Sequence, residues 1–163
     1  MKKVGLSILL VSLLAACASQ KTKEEATAAQ PAAEAPKAAA VAVDPLNDPN
    51  GVLAKRSAYF PFDVSVVQDA DKPMLQAHGQ YLAGHADRKV RVEGNCDERG
   101  SAEYNLALGQ RRADSVKKML MANGASAGQL STISYGEEKP RLTCHEEKCW
   151  KENRRADLNY NAK

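Results

Sequence analysis

The chain has 163 residues, 44% of them hydrophobic and only 5% aromatic, enough for one domain whose core is built mainly from Leu, Val, Ile, Met and Ala. Its formal net charge is +3, and Lys2 and Lys3 at the extreme N-terminus account for two of those charges, leaving +1. With no long basic run besides, the charge gives no support to a nucleic-acid partner.

Lys2 and Lys3 form a basic start, Val4 to Leu14 an apolar run, and Ala15 and Ala16 a small-residue end before Cys17. That is the layout of a secretory signal over residues 1–16. The run is too short for a membrane-spanning helix, which needs about 20 residues. Leu14-Ala15-Ala16-Cys17 resembles a bacterial lipobox, which implies lipidation of Cys17 as the new N-terminus; a plain signal cut near Ala16 is the alternative. Ala18 and Ser19 follow Cys17 where an Asp would signal inner-membrane retention, so the resemblance implies the outer membrane. Several acyl chains on one residue anchor firmly, because each buried CH₂ contributes roughly 0.8 kcal/mol. Residues 17–51 read as that lipidated cysteine and a tether, rich in Ala and Pro and without apolar periodicity.

The folded domain is expected over residues 52–163. Ala58 to Phe62 is a short strand that Pro61 confines to an edge or an end. Asp69 to His85 reads as a helix, capped by Asp69 or Asp71, with Leu75, His78 and Leu82 on one face. Lys89 to Glu93 alternates charge and valine, the pattern of a half-buried strand. Ser101 is a natural N-cap and Asn123-Gly124 a natural stop for a helix between them, with Leu106, Ala113, Val116 and Leu120 as its apolar stripe. A strand over Leu130 to Tyr135, a short helix near Glu146 to Glu152 and a strand over Arg155 to Asn161 complete the domain. The expected class is α/β (an α+β sandwich), a mixed four-stranded sheet with its helices on one face.

The chemistry concentrates between Gly94 and Arg112. A strand ends there, a loop carries Asp97, Glu98 and Arg99, and a helix begins, a common ligand position because N–H groups at a helix start favour anions. Gly94 and Gly100 permit close approach and a tight turn. Such a mixed site suits a ligand with both an ammonium and a carboxylate: Asp97 for the first, an arginine fork for the second. Arg112 lies roughly 16 Å along the helix from Ser101. For it to share a ligand with Asp97, the loop must fold back along the helix.

The stretches Tyr59-Phe60-Pro61-Phe62-Asp63, Val92-Glu93-Gly94-Asn95-Cys96-Asp97-Glu98-Arg99-Gly100, Glu103-Tyr104-Asn105, Leu108-Gly109-Gln110-Arg111-Arg112-Ala113, Ser134-Tyr135-Gly136-Glu137-Glu138-Lys139-Pro140 and Asn153-Arg154-Arg155-Ala156 resemble, in order, the motifs of OmpA-like peptidoglycan-binding domains. The resemblance implies non-covalent binding of peptidoglycan through the diaminopimelate of its stem peptide, and no catalysis or cofactor. It makes Asp97 and Arg112 the principal ligand residues, Phe62 and Asp63 a strand-end contact, and Asn105 and Leu108 residues that line or support the pocket. Lipoproteins of this kind also contact Tol proteins of the envelope. Asn95 and Cys96 depart from the family pattern, in which His and then Ala or Thr often precede the Asp.

Cys144 and Cys149 are expected to pair as a disulfide in an oxidising compartment. The alternative, a zinc site with His145, lacks an obvious fourth ligand. Cys96 reads as a small buried filler rather than a nucleophile. Two other functions stay open: a peptidoglycan hydrolase using Asp97 with Glu98 or Glu103 as an acid/base pair, and an adaptor whose main partner is protein.

Overall fold

The computed structural model describes residues 44–161. The signal segment, Cys17 and most of the tether lie outside them. Four strands form one mixed sheet in the order β1-β4-β2-β3. They are β1 (Ser57–Tyr59), β2 (Val90–Asn95), β3 (Leu130–Gly136) and β4 (Arg155–Asn159), interleaved with α1 (Lys72–Gly84), α2 (Ala102–Ala122) and α3 (Glu147–Asn153). β2 runs parallel to β3 and antiparallel to β4, and β4 runs antiparallel to β1. The order of elements and the mixed sheet are those expected.

The core follows the alternation in the strands and the helical spacing between them. Val90 and Val92 of β2, Ala156 and Leu158 of β4, Leu75 and Leu82 of α1, and Ala113, Val116 and Leu120 of α2 are buried together. The other face of the sheet is polar. Glu93 binds Arg91 and Asn159, and Asp157 binds Arg155, Arg141 and Ser57. Ile133 stands exposed on β3, while Thr132 takes a hydrogen bond from Gln110 of α2. On β3, then, Leu130 and Thr132 turn toward the helices and the bulky Ile133 does not.

Four expectations need correction. Strand β1 ends at Tyr59, before Pro61, and Phe60 is a core residue beyond it. A turn of 3₁₀ helix over Asp69–Asp71 precedes α1, and neither Asp caps it; Asp71 instead accepts from the Tyr59 N–H at 2.8 Å, tying the helix start to β1. Leu106 is 52% exposed, and Leu108 takes the buried place instead. The fold also begins before residue 52. Leu46 is in the core, and the Asp44 carboxylate binds the Tyr81 hydroxyl at 2.9 Å and Arg88 at 2.6 Å.

His78 is wholly buried, with Nε2 2.8 Å from the Lys55 carbonyl and Nδ1 2.8 Å from the Tyr160 hydroxyl. A carbonyl can only accept, so Nε2 carries the proton and Nδ1 accepts from Tyr160. Burial lowers the pKa of the ring, with Arg56 nearby adding to the effect against the Lys55 hydrogen bond. The folded ring therefore resists a proton that the unfolded chain accepts near the ordinary value of 6.5. Stability is full above that value and is lost as the pH falls below it, by at most about 1.4 kcal/mol per pH unit. Thermal melts are expected to weaken from about pH 6.5 downward, before the paired carboxylates titrate, and His78→Gln to flatten that limb. An unchanged slope in the variant would assign it to other groups.

Candidate ligand site

The loop after β2 is folded onto the first turns of α2. Ser101 caps that helix, accepting from the Tyr104 N–H at 3.2 Å, and Gly100 makes the turn into it at φ +115°. Asn105, on the buried face, donates from Nδ2 to the backbone carbonyls of Asp97 and Arg99, both at 3.2 Å. Further along, Gly94 of β2 lies flat against Gly109 of α2: a Cβ on Gly94 would stand 1.9 Å from the Gly109 carbonyl oxygen. That close approach brings the end of β2 beside the middle of α2.

It also accounts for the 16 Å separation. Side chains on a helix lean toward its N-terminus, and Arg112 leans back so far that Nη1 donates to the Asn95 carbonyl at 2.9 Å. Nε donates to the Val64 carbonyl at 2.9 Å, Nη2 to the Pro61 carbonyl at 3.1 Å, and Nη1 also reaches the Cys96 sulfur at 3.3 Å. Four of the five N–H donors of the guanidinium are thus used, and one on Nη2 is left over among the described residues. The side chain is 0% exposed, has no carboxylate partner among the described residues, and burial pulls its pKa down. Arg112 is therefore a structural pin as well as a cation, on the same buried face as Leu108, Val116 and Leu120.

Asp97 is 3% exposed. Oδ1 accepts from the Arg99 N–H at 3.1 Å and its Nε at 3.2 Å; Oδ2 accepts from Arg99 Nη2 at 2.7 Å and Arg154 Nη1 at 3.1 Å. Burial pushes the carboxyl pKa up, the hydrogen bonds of Arg99 and Arg154 push it down, and the balance lies below the ordinary value. Arg154 is buried, donates to the Phe60 carbonyl at 3.0 Å, and pairs with Glu147. The guanidinium of Arg99 is stacked between two aromatic rings, 4.2 Å from the Phe62 centroid and 4.1 Å from that of Trp150.

A cavity of about 210 Å³ opens between these groups. Phe62, Asp63, Asp97, Asn105, Leu108 and Arg112, the six residues singled out in the sequence, all line it. Arg99, Tyr104 and Arg154 line it too. The Tyr104 hydroxyl donates to Asp63, whose backbone is held at φ +57°. Sequence reading offered Arg99 only as one of the site's positive charges and gave Arg154 and Trp150 no distinct part. Arg154 stood in a motif without a role, and nothing local links it to Asp97 across 57 positions.

Cys144 and Cys149 are joined in a disulfide with their Cα atoms 5.6 Å apart. His145 lies in the small loop it closes and Trp150 directly follows it; the Glu98 carboxylate binds His145 Nδ1 at 2.7 Å and accepts from Trp150 Nε1 at 2.9 Å. Removing the cross-link with the double change Cys144→Ser and Cys149→Ser is expected to cost about 2 kcal/mol on the chain-entropy model, read as a lowered denaturant midpoint. A midpoint equal to that of the wild type would mean the loop is held by its hydrogen bonds alone. Cys96 is buried, donates to the Asn105 carbonyl at 3.2 Å, and burial raises its pKa, so it is an inert filler beneath the cavity.

The family model described as "OmpA family" matches residues 59–154, from the end of β1 to the arginine that holds Asp97. The chain belongs to the OmpA family. Among its OmpA-family relatives, a protein of Pasteurella multocida named peptidoglycan-associated lipoprotein is 52% identical over 104 residues, covering 64% of this chain and 69% of that protein. A protein of the same name from Haemophilus influenzae is 51% identical over 104 residues, 64% of this chain and 68% of its own. The crystal structure of the peptidoglycan-associated lipoprotein of Burkholderia pseudomallei matches with 52% identity and a TM-score of 0.71, over 72% of this chain and 99% of that one. These relatives are all named as peptidoglycan-associated lipoproteins.

Proposed function

We propose that this chain is an outer-membrane lipoprotein whose domain binds peptidoglycan non-covalently through the diaminopimelate of the stem peptide, as part of the Tol-Pal system that ties the outer membrane to the wall. Residues 1–16 would be its signal, Cys17 its lipid anchor, and the segment up to the fold its tether. The observation that carries the reading is the buried Arg112 cation, which has no anionic partner among the described residues and one N–H unused at the wall of a cavity shared with Asp97. A buried charge without a counter-ion is costly, and a ligand carboxylate would supply one. The names of the relatives support peptidoglycan as the polymer that brings it.

The hydrolase reading has less support. A general acid needs a raised pKa, whereas the Asp97 carboxyl lies below its ordinary value, and hydrogen bonds from Trp150 and His145 hold Glu98 down as well. Incubating the domain with cell-wall sacculi tests the proposal. Wild type is expected to sediment with them and release no soluble muropeptides, while folded Asp97→Asn loses at least about tenfold in retention. Released fragments, or full retention of the variant, would overturn it. If Cys17→Ser still fractionates with the outer membrane, the anchor assignment fails.

A further inference from the structure

A carboxylate offers about four lone-pair positions to hydrogen-bond donors. All four on Asp97 are taken, three by Arg99 and one by Arg154. A ligand ammonium cannot bind Asp97 until a donor leaves. The two arginines differ in how firmly they are held. The Arg154 side chain is 6% exposed, tied to the Phe60 carbonyl and to Glu147; the Arg99 side chain is 32% exposed. Its clamp is open on one side, since Phe62 is itself 57% exposed. Arg99 is the donor that can move.

We infer that Arg99 is a resident counter-ion which the ligand must displace from Asp97, and that this exchange selects a zwitterion over a simple amine. The inference rests on the proposed function and adds a specificity residue to it. When an ammonium takes the Asp97 carboxylate, the released guanidinium needs an anion. Glu147 lies 3.9 Å away but is already bound by Arg154, and the Glu98 carboxylate is engaged by His145 and Trp150. A carboxylate on the same ligand carbon as the ammonium supplies that anion where it is needed, beside Arg99 and within the cavity that Arg112 lines. One internal ion pair is exchanged for two across the interface. An amine with no carboxylate breaks the internal pair and leaves Arg99 only the 3.9 Å contact with Glu147, which Arg154 already holds, so it binds more weakly. Phe62 and Trp150 keep the guanidinium stacked close to the site during the exchange, a cation–π contribution that survives the loss of Asp97.

Trp150 is the chain's one tryptophan, so its fluorescence reports on this clamp alone. The experiment uses the tripeptide L-alanyl-γ-D-glutamyl-meso-diaminopimelate and the same tripeptide amidated at the carboxylate beside its free amine. Calorimetry is run on wild type and Arg99→Met. The variant is expected to bind the amidated tripeptide at least about threefold more tightly than wild type does, because Asp97 is uncapped, and the zwitterionic tripeptide at least about threefold more weakly. A residue with only a structural role would weaken both. In wild type, which needs no variant to fold, saturating zwitterion is expected to shift Trp150 emission as the guanidinium stacked on the indole exchanges the Asp97 carboxylate for that of the ligand. An amidated tripeptide bound no better by the variant, an undiminished zwitterion affinity, or an unmoved emission at saturation each overturns the exchange while leaving the ligand assignment intact. Failure of wild type to bind the zwitterion at all overturns both.

Discussion

Arg112→Ala is expected to cost the domain on the order of 3 kcal/mol, the loss of several buried hydrogen bonds outweighing the relief of a cation buried without a counter-ion. Four protein groups depend on this guanidinium: the carbonyls of Pro61, Val64 and Asn95, and the Cys96 sulfur. They belong to the segment after β1 and to the end of β2, which Arg154 also joins, through the Phe60 carbonyl and Asp97. Alanine leaves those carbonyls without a donor in the interior, at about 1–3 kcal/mol each where water cannot reach, and opens a void under Phe60, whose ring lies 5.2 Å from the guanidinium. Small domains have only about 5–15 kcal/mol in hand, so loss of ligand retention by this variant cannot be assigned to binding alone. Arg112→Lys separates the roles. It keeps the charge but presents a point rather than a fork, and is expected to lose part of the stability and most of the binding. Urea titration reads the first and calorimetry the second. An alanine variant within about 1 kcal/mol of wild type would mean that water satisfies the carbonyls.

Gly94→Ala is expected to be as severe at a site with no polar chemistry. The added Cβ would meet the Gly109 oxygen at 1.9 Å, its carbonyl carbon at 2.6 Å and its Cα at 3.1 Å, all backbone. No rotamer relieves this, so β2 and α2 must part to make room. The cost is placed at or above the top of the range of about 1–3 kcal/mol for overpacking. The separation would also carry Asn95, Cys96 and Asp97 away from Arg112, so ligand affinity should fall with stability. Gly84→Ala is the control: Gly84 ends α1, and a Cβ added there would meet nothing within 4 Å. It is expected to be neutral or to stabilise by up to about 1 kcal/mol. If the two variants melt alike, the helix–strand approach is softer than the distances imply.

The two halves of the site differ in how legible they were. The strand–helix–strand order came from periodicity, because Val90 and Val92, or Leu75, His78 and Leu82, repeat at the spacing that their burial demands. The six lining residues came from motif resemblance, and a cavity does join them. The state of the two charges was not readable. Whether Asp97 is bare or capped depends on Arg154, 57 positions away, and on an aromatic pair made from Phe62 and Trp150. Whether Arg112 points out or is buried depends on how closely a strand packs on its helix, which two glycines decide. Leu106 and Leu108 both fit an apolar helical stripe, and only the position of the sheet tells which is covered.

The position of Asp44 has a mechanical consequence. Its carboxylate is fastened to Arg88, just before β2 begins, and to Tyr81 on α1, whereas the cavity lies where β2 ends. A pull between the chain's entry and a bound polymer therefore runs along β2, across roughly 17 Å of strand. β2 is held on both sides, by β3 and by β4. Tension along it is carried by the continuous backbone of one strand held on both sides, instead of opening hydrogen bonds one by one as a zipper, so the domain should release its ligand before its sheet opens.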